Sequence, residues 1–185
     1  MRIKKFLAGA LCAVLLCSLA ACGGPGSTGE VNADGEKVFH LRLAHNLAED
    51  HAVHIAMTAW AEAVKEKSNG SISIQIFPNG TLGSETDCIT IMRAGGLDMT
   101  KVSAATLGNF ENDWNALSVP YVFNDKEHYY NVMDGEIAQD MYMLTEDSGF
   151  IGLTWLDSGS RSFYTAKTPV RTPADLKGLK IRTMD

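Results

Sequence analysis

Apolar and polar positions alternate through residues 38–44, where Phe39, Leu41 and Leu43 are interleaved with His40 and Arg42, and this period of two predicts a strand ending at Asn46. The period then lengthens. Val53, Ala56, Met57, Trp60, Ala63 and Val64 recur at helical spacing, which predicts a helix over about 51–67 that stops at Asn69-Gly70. Ile72, Ile74 and Ile76 restore alternation over 71–77 until Pro78-Asn79-Gly80 breaks it. Ser84 with Asp87 three positions on has the form of a capping box opening a short helix to Ala94, which Gly95-Gly96 closes. Residues 97–102 read as the next strand. Beyond a polar loop near Gly108 and an irregular aromatic stretch (Phe110, Trp114, Tyr121, Phe123) around Pro120, two helices are expected over 125–133 and 136–147, parted by Asp134-Gly135. A strand over 150–156, an extended segment over 160–166, a one-turn helix opened by Thr172-Pro173 and Asp175, and a strand over 179–182 complete the reading.

Strand, helix, strand, helix, strand is the order of βαβ units, so the fold class is α/β with a largely parallel sheet and helices on its faces. Such sheets take ligands at the carboxyl ends of their strands. The final strand has no helix after it to cover it, and a parallel strand needs both faces covered. The expectation is therefore an amino-terminal piece of a longer protein.

Residues 1–21 pattern differently. Arg2, Lys4 and Lys5 precede an apolar run over 6–19, too short for the ~20 residues of a spanning helix, which is the form of an export signal. It ends in Leu19, Ala20, Ala21 and Cys22, resembling the bacterial lipoprotein box, in which the chain is cut before the cysteine and the sulfur is lipidated. An ordinary signal peptide is the alternative. Residues 22–37, rich in Gly, Ser, Asp and Asn without apolar periodicity, suit a flexible tether. With Cys12 and Cys17 in the signal and Cys22 lipidated, Cys88 alone remains, and it is expected to be a small core residue. The GPGSTG run at 24–29 matches a phosphate-loop spelling but follows no strand and precedes no helix.

Charge narrows the function further. Removing the three basic residues of the signal takes 16 cationic side chains to 13 against 22 acidic ones, so the net charge goes from −6 to −9. A nucleic-acid partner needs a basic surface, and a net charge of this sign argues against one. Glu49, Asp50, His51 and His54 form the best metal-like cluster, but HExxH is absent and acids at a helix start suit its dipole, so no metal and no cofactor is expected. No GxSxG and no Ser/His/Asp grouping can be assembled, so no catalytic residue is assigned.

LRLAHN at 41–46, FPNGTLGSE at 77–85, AGGLDM at 94–99, VPYVF at 119–123, GSR at 159–161 and DLKGLKIR at 175–182 occur in one order. In these pieces the chain, over 41–185, resembles the DctP-type substrate-binding receptors of tripartite ATP-independent periplasmic (TRAP) transporters, which capture C4-dicarboxylates and related organic acids. The resemblance implies a periplasmic-binding-protein-like fold of two α/β domains closing by a hinge. It divides the chain into a first domain over 38–159 and the start of a second over 160–185. It implies that Arg182 pairs with the ligand carboxylate, for which a planar guanidinium fork is suited, and that Arg161 adds a bond to the same group unless it is a surface residue of the crossing strand. Asn46 matches a polar cleft position, with a turn role as the alternative. Glu85, Ser103 and Thr106 fall on the first-domain wall, where sialic-acid-binding relatives carry Glu and Arg in place of Ser103 and Thr106. That departure argues against sialic acid. Asp185 matches a pocket position just past the last strand.

The function so implied is an extracytoplasmic receptor, lipid-anchored on the outer face of the cell membrane, that binds an organic acid and delivers it to TRAP permease subunits without chemistry on it. The alternatives are a ligand-binding sensor lipoprotein docking on a membrane kinase, and an exported enzyme on the same fold class.

Overall fold

The computed structural model describes residue 31, residues 34–159, residue 162 and residues 164–182. The expected signal at 1–21, Cys22, Ser160, Arg161 and Asp185 lie outside the described residues. Of the expected tether, Val31 and Lys37 form an antiparallel bridge.

Three strands, β1 (Phe39–Ala44), β2 (Ile72–Phe77) and β3 (Met99–Thr100), form one parallel sheet in the order β2-β1-β3. Successive side chains of a strand point to opposite faces, and at the end of β1 both faces are buried. Leu43 packs with Val53 and Met57 of α1 (Ala52–Lys67), joined by Ile74, Ile76 and Met99. Ala44 points the other way, onto Cys88 of α2 (Glu85–Arg93) and Leu97, flanked by Phe77, Ile91 and Met92. The sheet is thus the middle layer between two helices, the α/β arrangement expected from the element order. Each fully buried aliphatic side chain of this kind contributes about 1.5–3 kcal/mol.

Local sequence sets the element ends. His51 caps α1, its Nδ1 accepting the Val53 N–H at 3.1 Å. The Ser84/Asp87 capping box is complete: Ser84 Oγ accepts the Asp87 N–H and the Asp87 carboxylate accepts the Ser84 N–H at 2.8 Å. Cys88 is a free, buried thiol, as a small core residue should be, and burial pushes its pKa up.

The pattern misleads in five places. Ala56 and Trp60 fit the apolar helical spacing of the first helix, yet both lie off its buried stripe, and Trp60 is 43 % exposed. The stripe follows i, i+4, i+8 through Val53, Met57 and Ala61, and positions three residues along fall on its flank. The third strand is two residues long because the Asp98 carboxylate accepts the Arg42 N–H at 2.8 Å and Val102-Ser103 turn away toward Glu85.

The helix expected over 136–147 ends early. A short helix α3 (Ala104–Leu107) and a 3-10 turn (Asn112–Ser118) lead to α4 (Lys126–Met133) and α5 (Glu136–Met143). The Tyr142 carbonyl accepts from Gly152 N–H at 2.7 Å instead of continuing the helix, and the chain resumes as a 3-10 turn at Glu146–Ser148. Residues 150–156 join no ladder among the described residues. They lie on α4 and α5, with Trp155 against Tyr129 and Tyr130, and leave Ile151 and Leu153 exposed. Residues 179–182 are also without strand pairing among the described residues. The expected one-turn helix is present as a 3-10 turn at Pro173–Leu176 with its Thr172/Asp175 box.

Candidate functional site

Parallel strands ending side by side bring three loops together at the carboxyl edge of the sheet, and that edge carries a connected set of polar and charged side chains. The loop after β1 is joined to the loop after β2 by hydrogen bonds from His45 N–H to the Phe77 carbonyl (3.0 Å), Gly80 N–H to the His45 carbonyl (3.0 Å) and Asn79 N–H to the Leu47 carbonyl (2.9 Å). Asn79 and Gly80 both take positive φ, 60° and 64°, which is why this turn uses Asn-Gly. On the other side Lys101 N–H donates to the Ala44 carbonyl at 2.9 Å, placing Lys101 beside the end of β1.

Glu85, the first residue of α2, is buried at this edge and organises it. Its Oε2 accepts three hydrogen bonds: from Ser103 N–H (2.9 Å), Ser103 Oγ (2.9 Å) and Thr106 Oγ1 (2.7 Å). Among the described residues its Oε1 meets only Lys101 Nζ, at 3.4 Å. Burial alone raises a carboxyl pKa, but the Ser103 and Thr106 donors and the Lys101 charge outweigh it, so Glu85 lies below its ordinary range and is ionised. Three of the expected wall residues, Glu85, Ser103 and Thr106, are therefore brought into one network. Thr106 is buried beneath the carboxylate, and its hydroxyl is bonded to Glu85.

Asn46 is exposed at the same edge, with its Cβ beside the Gly80 turn. Arg182 is exposed. The suspected metal cluster separates into local tasks: His51 caps its helix, Glu49 accepts from Asn79 Nδ2 at 3.1 Å, and His54 pairs with His45. No grouping of three or more His, Cys, Asp or Glu among the described residues is placed to hold a metal ion.

Two residues of the edge escaped the sequence reading. Lys101 is one, and a rule that examines the first residue past each parallel strand would have found it. His45 is the other. It is buried, its Nδ1 accepts the Leu47 N–H at 3.1 Å, and its Nε2 therefore carries the proton that it donates to His54 Nδ1 at 2.9 Å. Burial, then electrostatic coupling to His54, Lys101 and His51, holds its pKa below 6.5, so the ring is neutral at pH 7.

Residues 43–185 match the family of bacterial extracellular solute-binding proteins, family 7. The 2,3-diketo-L-gulonate-binding periplasmic protein YiaO of Escherichia coli is 32 % identical over 143 residues, 77 % of this chain and 44 % of that protein. Two solved structures are similar. A TRAP periplasmic solute-binding protein from Bradyrhizobium, in complex with α/β-D-galacturonate, is 39 % identical with a TM-score of 0.77, over 80 % of this chain and 49 % of that one. Another from Anaerococcus prevotii, with bound α/β-D-glucuronate, is 38 % identical with a TM-score of 0.73, over 76 % of this chain and 46 % of that one. The chain spans about half the length of the curated relatives it matches.

Proposed function

Because this chain belongs to family 7 of the bacterial extracellular solute-binding proteins, we propose that it contributes one wall of an extracytoplasmic receptor for an organic acid, with sugar acids such as uronates as the favoured class. The supporting observation is the polar edge just described, in which Lys101 and the ionised Glu85 sit at the carboxyl ends of parallel strands, where this architecture takes ligands. The two solved relatives compared above hold uronates, and a relative is named for a keto sugar acid. In this reading Arg182 clamps the carboxylate, assisted by Arg161, while Asn46, Glu85, Ser103 and Asp185 line the pocket. Thr106 acts through Glu85. The described edge offers a charged, hydrogen-bonding surface, and the reading gives the protein no reaction of its own: the ligand passes unchanged to TRAP permease subunits. The domain division at 38–159 and 160–185 belongs to the same proposal.

Calorimetric titration of the intact receptor with D-glucuronate, D-galacturonate and succinate tests it. Reversible saturable binding, with the acid recovered unaltered, is the expected outcome. Turnover of the acid would contradict the reading, as would binding of none.

Placement at the membrane rests on sequence alone. The Leu19-Ala20-Ala21-Cys22 segment supports export and lipidation at Cys22, so labelled palmitate should enter the wild-type protein and not Cys22→Ala. Label on the Cys22→Ala protein would contradict the anchor.

A further inference from the structure

The Lys101–Glu85 pair has more hydrogen-bonding capacity than the protein uses. Glu85 Oε2 is saturated by three donors, whereas among the described residues Oε1 has a single hydrogen-bond partner, Lys101 Nζ at 3.4 Å. That distance is long for a charge-assisted bond, which is ordinarily ~2.7–2.9 Å. An ammonium carries three donors and no acceptor, and Glu85 is the one hydrogen-bond acceptor that Lys101 Nζ meets among the described residues. Both side chains are nearly out of solvent, 15 % and 7 % exposed, so the spare donors and the spare lone pairs are costly to leave empty. The neighbouring imidazole does not fill them, because His45 Nδ1 is taken by Leu47 N–H and Nε2 by His54.

A donor-only ammonium beside an acceptor-only carboxylate oxygen matches a hydroxyl group, which both accepts and donates. A bare carboxylate could use the lysine but would be repelled by Glu85, and an apolar carbon could use neither. We propose that Lys101 and Glu85 Oε1 together read a hydroxyl of the ligand, Lys101 donating to its oxygen and Glu85 accepting its proton, so that the pair selects hydroxylated acids over plain ones. The inference rests on the organic-acid reading above and adds the specificity residue that neither sequence pattern nor family match assigned. The ligand's carboxylate goes to the arginine side of the site, and its hydroxylated end to this one.

The test is a cycle of titrations on the intact receptor with D-glucuronate and, as the unhydroxylated ring acid, cyclohexanecarboxylate. Lys101→Met is expected to weaken D-glucuronate at least tenfold and to leave cyclohexanecarboxylate within threefold, so that the preference between them falls. Lys101→Met also leaves Glu85 without its counter-charge, and the double variant Glu85→Gln/Lys101→Met removes that charge as well. The double variant is expected to fold and to stay weak for D-glucuronate. Recovery of wild-type affinity in the double variant would show that Lys101 only neutralises Glu85, and would overturn the inference. So would equal losses for the two acids, or a Lys101→Met receptor that binds D-glucuronate as wild type does; in these cases the organic-acid reading stands. A wild-type receptor that binds no acid overturns both.

Discussion

His45 carries a pH dependence whose sign follows from its environment. Burial and electrostatic coupling to its neighbours depress its pKa below the ordinary 6.5, so the unfolded chain binds this proton more readily than the folded one. The contribution of the buried neutral ring is fully present above about pH 6.5. It is lost as the pH falls through that value, until the folded ring itself protonates. Glu85 acts lower on the scale: a depressed carboxylate stabilises above the ordinary 4.5, and that stability disappears as the pH drops through its folded pKa. Urea midpoints measured from pH 7.5 to 5.5 should therefore fall for the wild type and fall less for His45→Gln. An equal slope in the two proteins would contradict this assignment. Neither effect was legible in the sequence. Glu85, Ser103 and Thr106 could be placed on one wall by resemblance, but the three bonds to Glu85 Oε2 join residues 18 and 21 positions apart. Only the sheet brings them together. His45 and Lys101 were hidden for a related reason: a polar residue immediately past a strand reads as the start of a loop unless the neighbouring strand ends are known to meet there.

The elements most legible in the sequence are those specified twice. The helix Glu85–Arg93 has both an apolar stripe and the Ser84/Asp87 box, and its expected and observed boundaries agree within a residue at each end. Ser84→Ala should destabilise the fold by about 1 kcal/mol, read as a shift in denaturation midpoint with no change in slope. A change within error would mean that the box is dispensable. Elements specified by pattern alone are less secure. The apolar run over 150–156 reads as a strand, yet the segment lies on two helices, with Trp155 Nε1 donating to Asp134 at 2.9 Å and Gly152 against Tyr142. A Cβ at residue 152 would come within 2.6 Å of the Tyr142 ring. Gly152→Ala should force the segment off its helices and cost about 1–3 kcal/mol, with loss of the near-ultraviolet signal of the Tyr129–Tyr130–Trp155 cluster. A retained signal and unchanged midpoint would place the segment elsewhere in solution. An apolar run does not say what it packs against: here Trp155 and Gly152 seat on the helices, and Ile151 and Leu153 stay exposed.

At the scale of the whole molecule, the sheet between α1 and α2 supplies a rigid edge, and the loops after β1, β2 and β3 turn that edge into a charged, hydrogen-bonding surface. The parallel order was legible because helices alternate with strands. The edge chemistry follows from the order, since parallel strands all end at the same side. The central claim is that this surface faces an organic acid whose carboxylate is held by Arg182, exposed at the end of the described chain. A carboxylate enclosed in a closing cleft needs a directed cationic partner, and breaking such a pair costs about 3–5 kcal/mol. The most direct measurement is calorimetric titration of D-glucuronate into the intact wild-type receptor and into Arg182→Ala and Arg182→Lys. Arg182→Ala should bind roughly two to three and a half powers of ten more weakly, at about 1.4 kcal/mol per decade, and lysine, which keeps the charge but not the fork, should recover only part of the loss. An Arg182→Ala receptor that melts like the wild type and binds within threefold of it would contradict the carboxylate clamp.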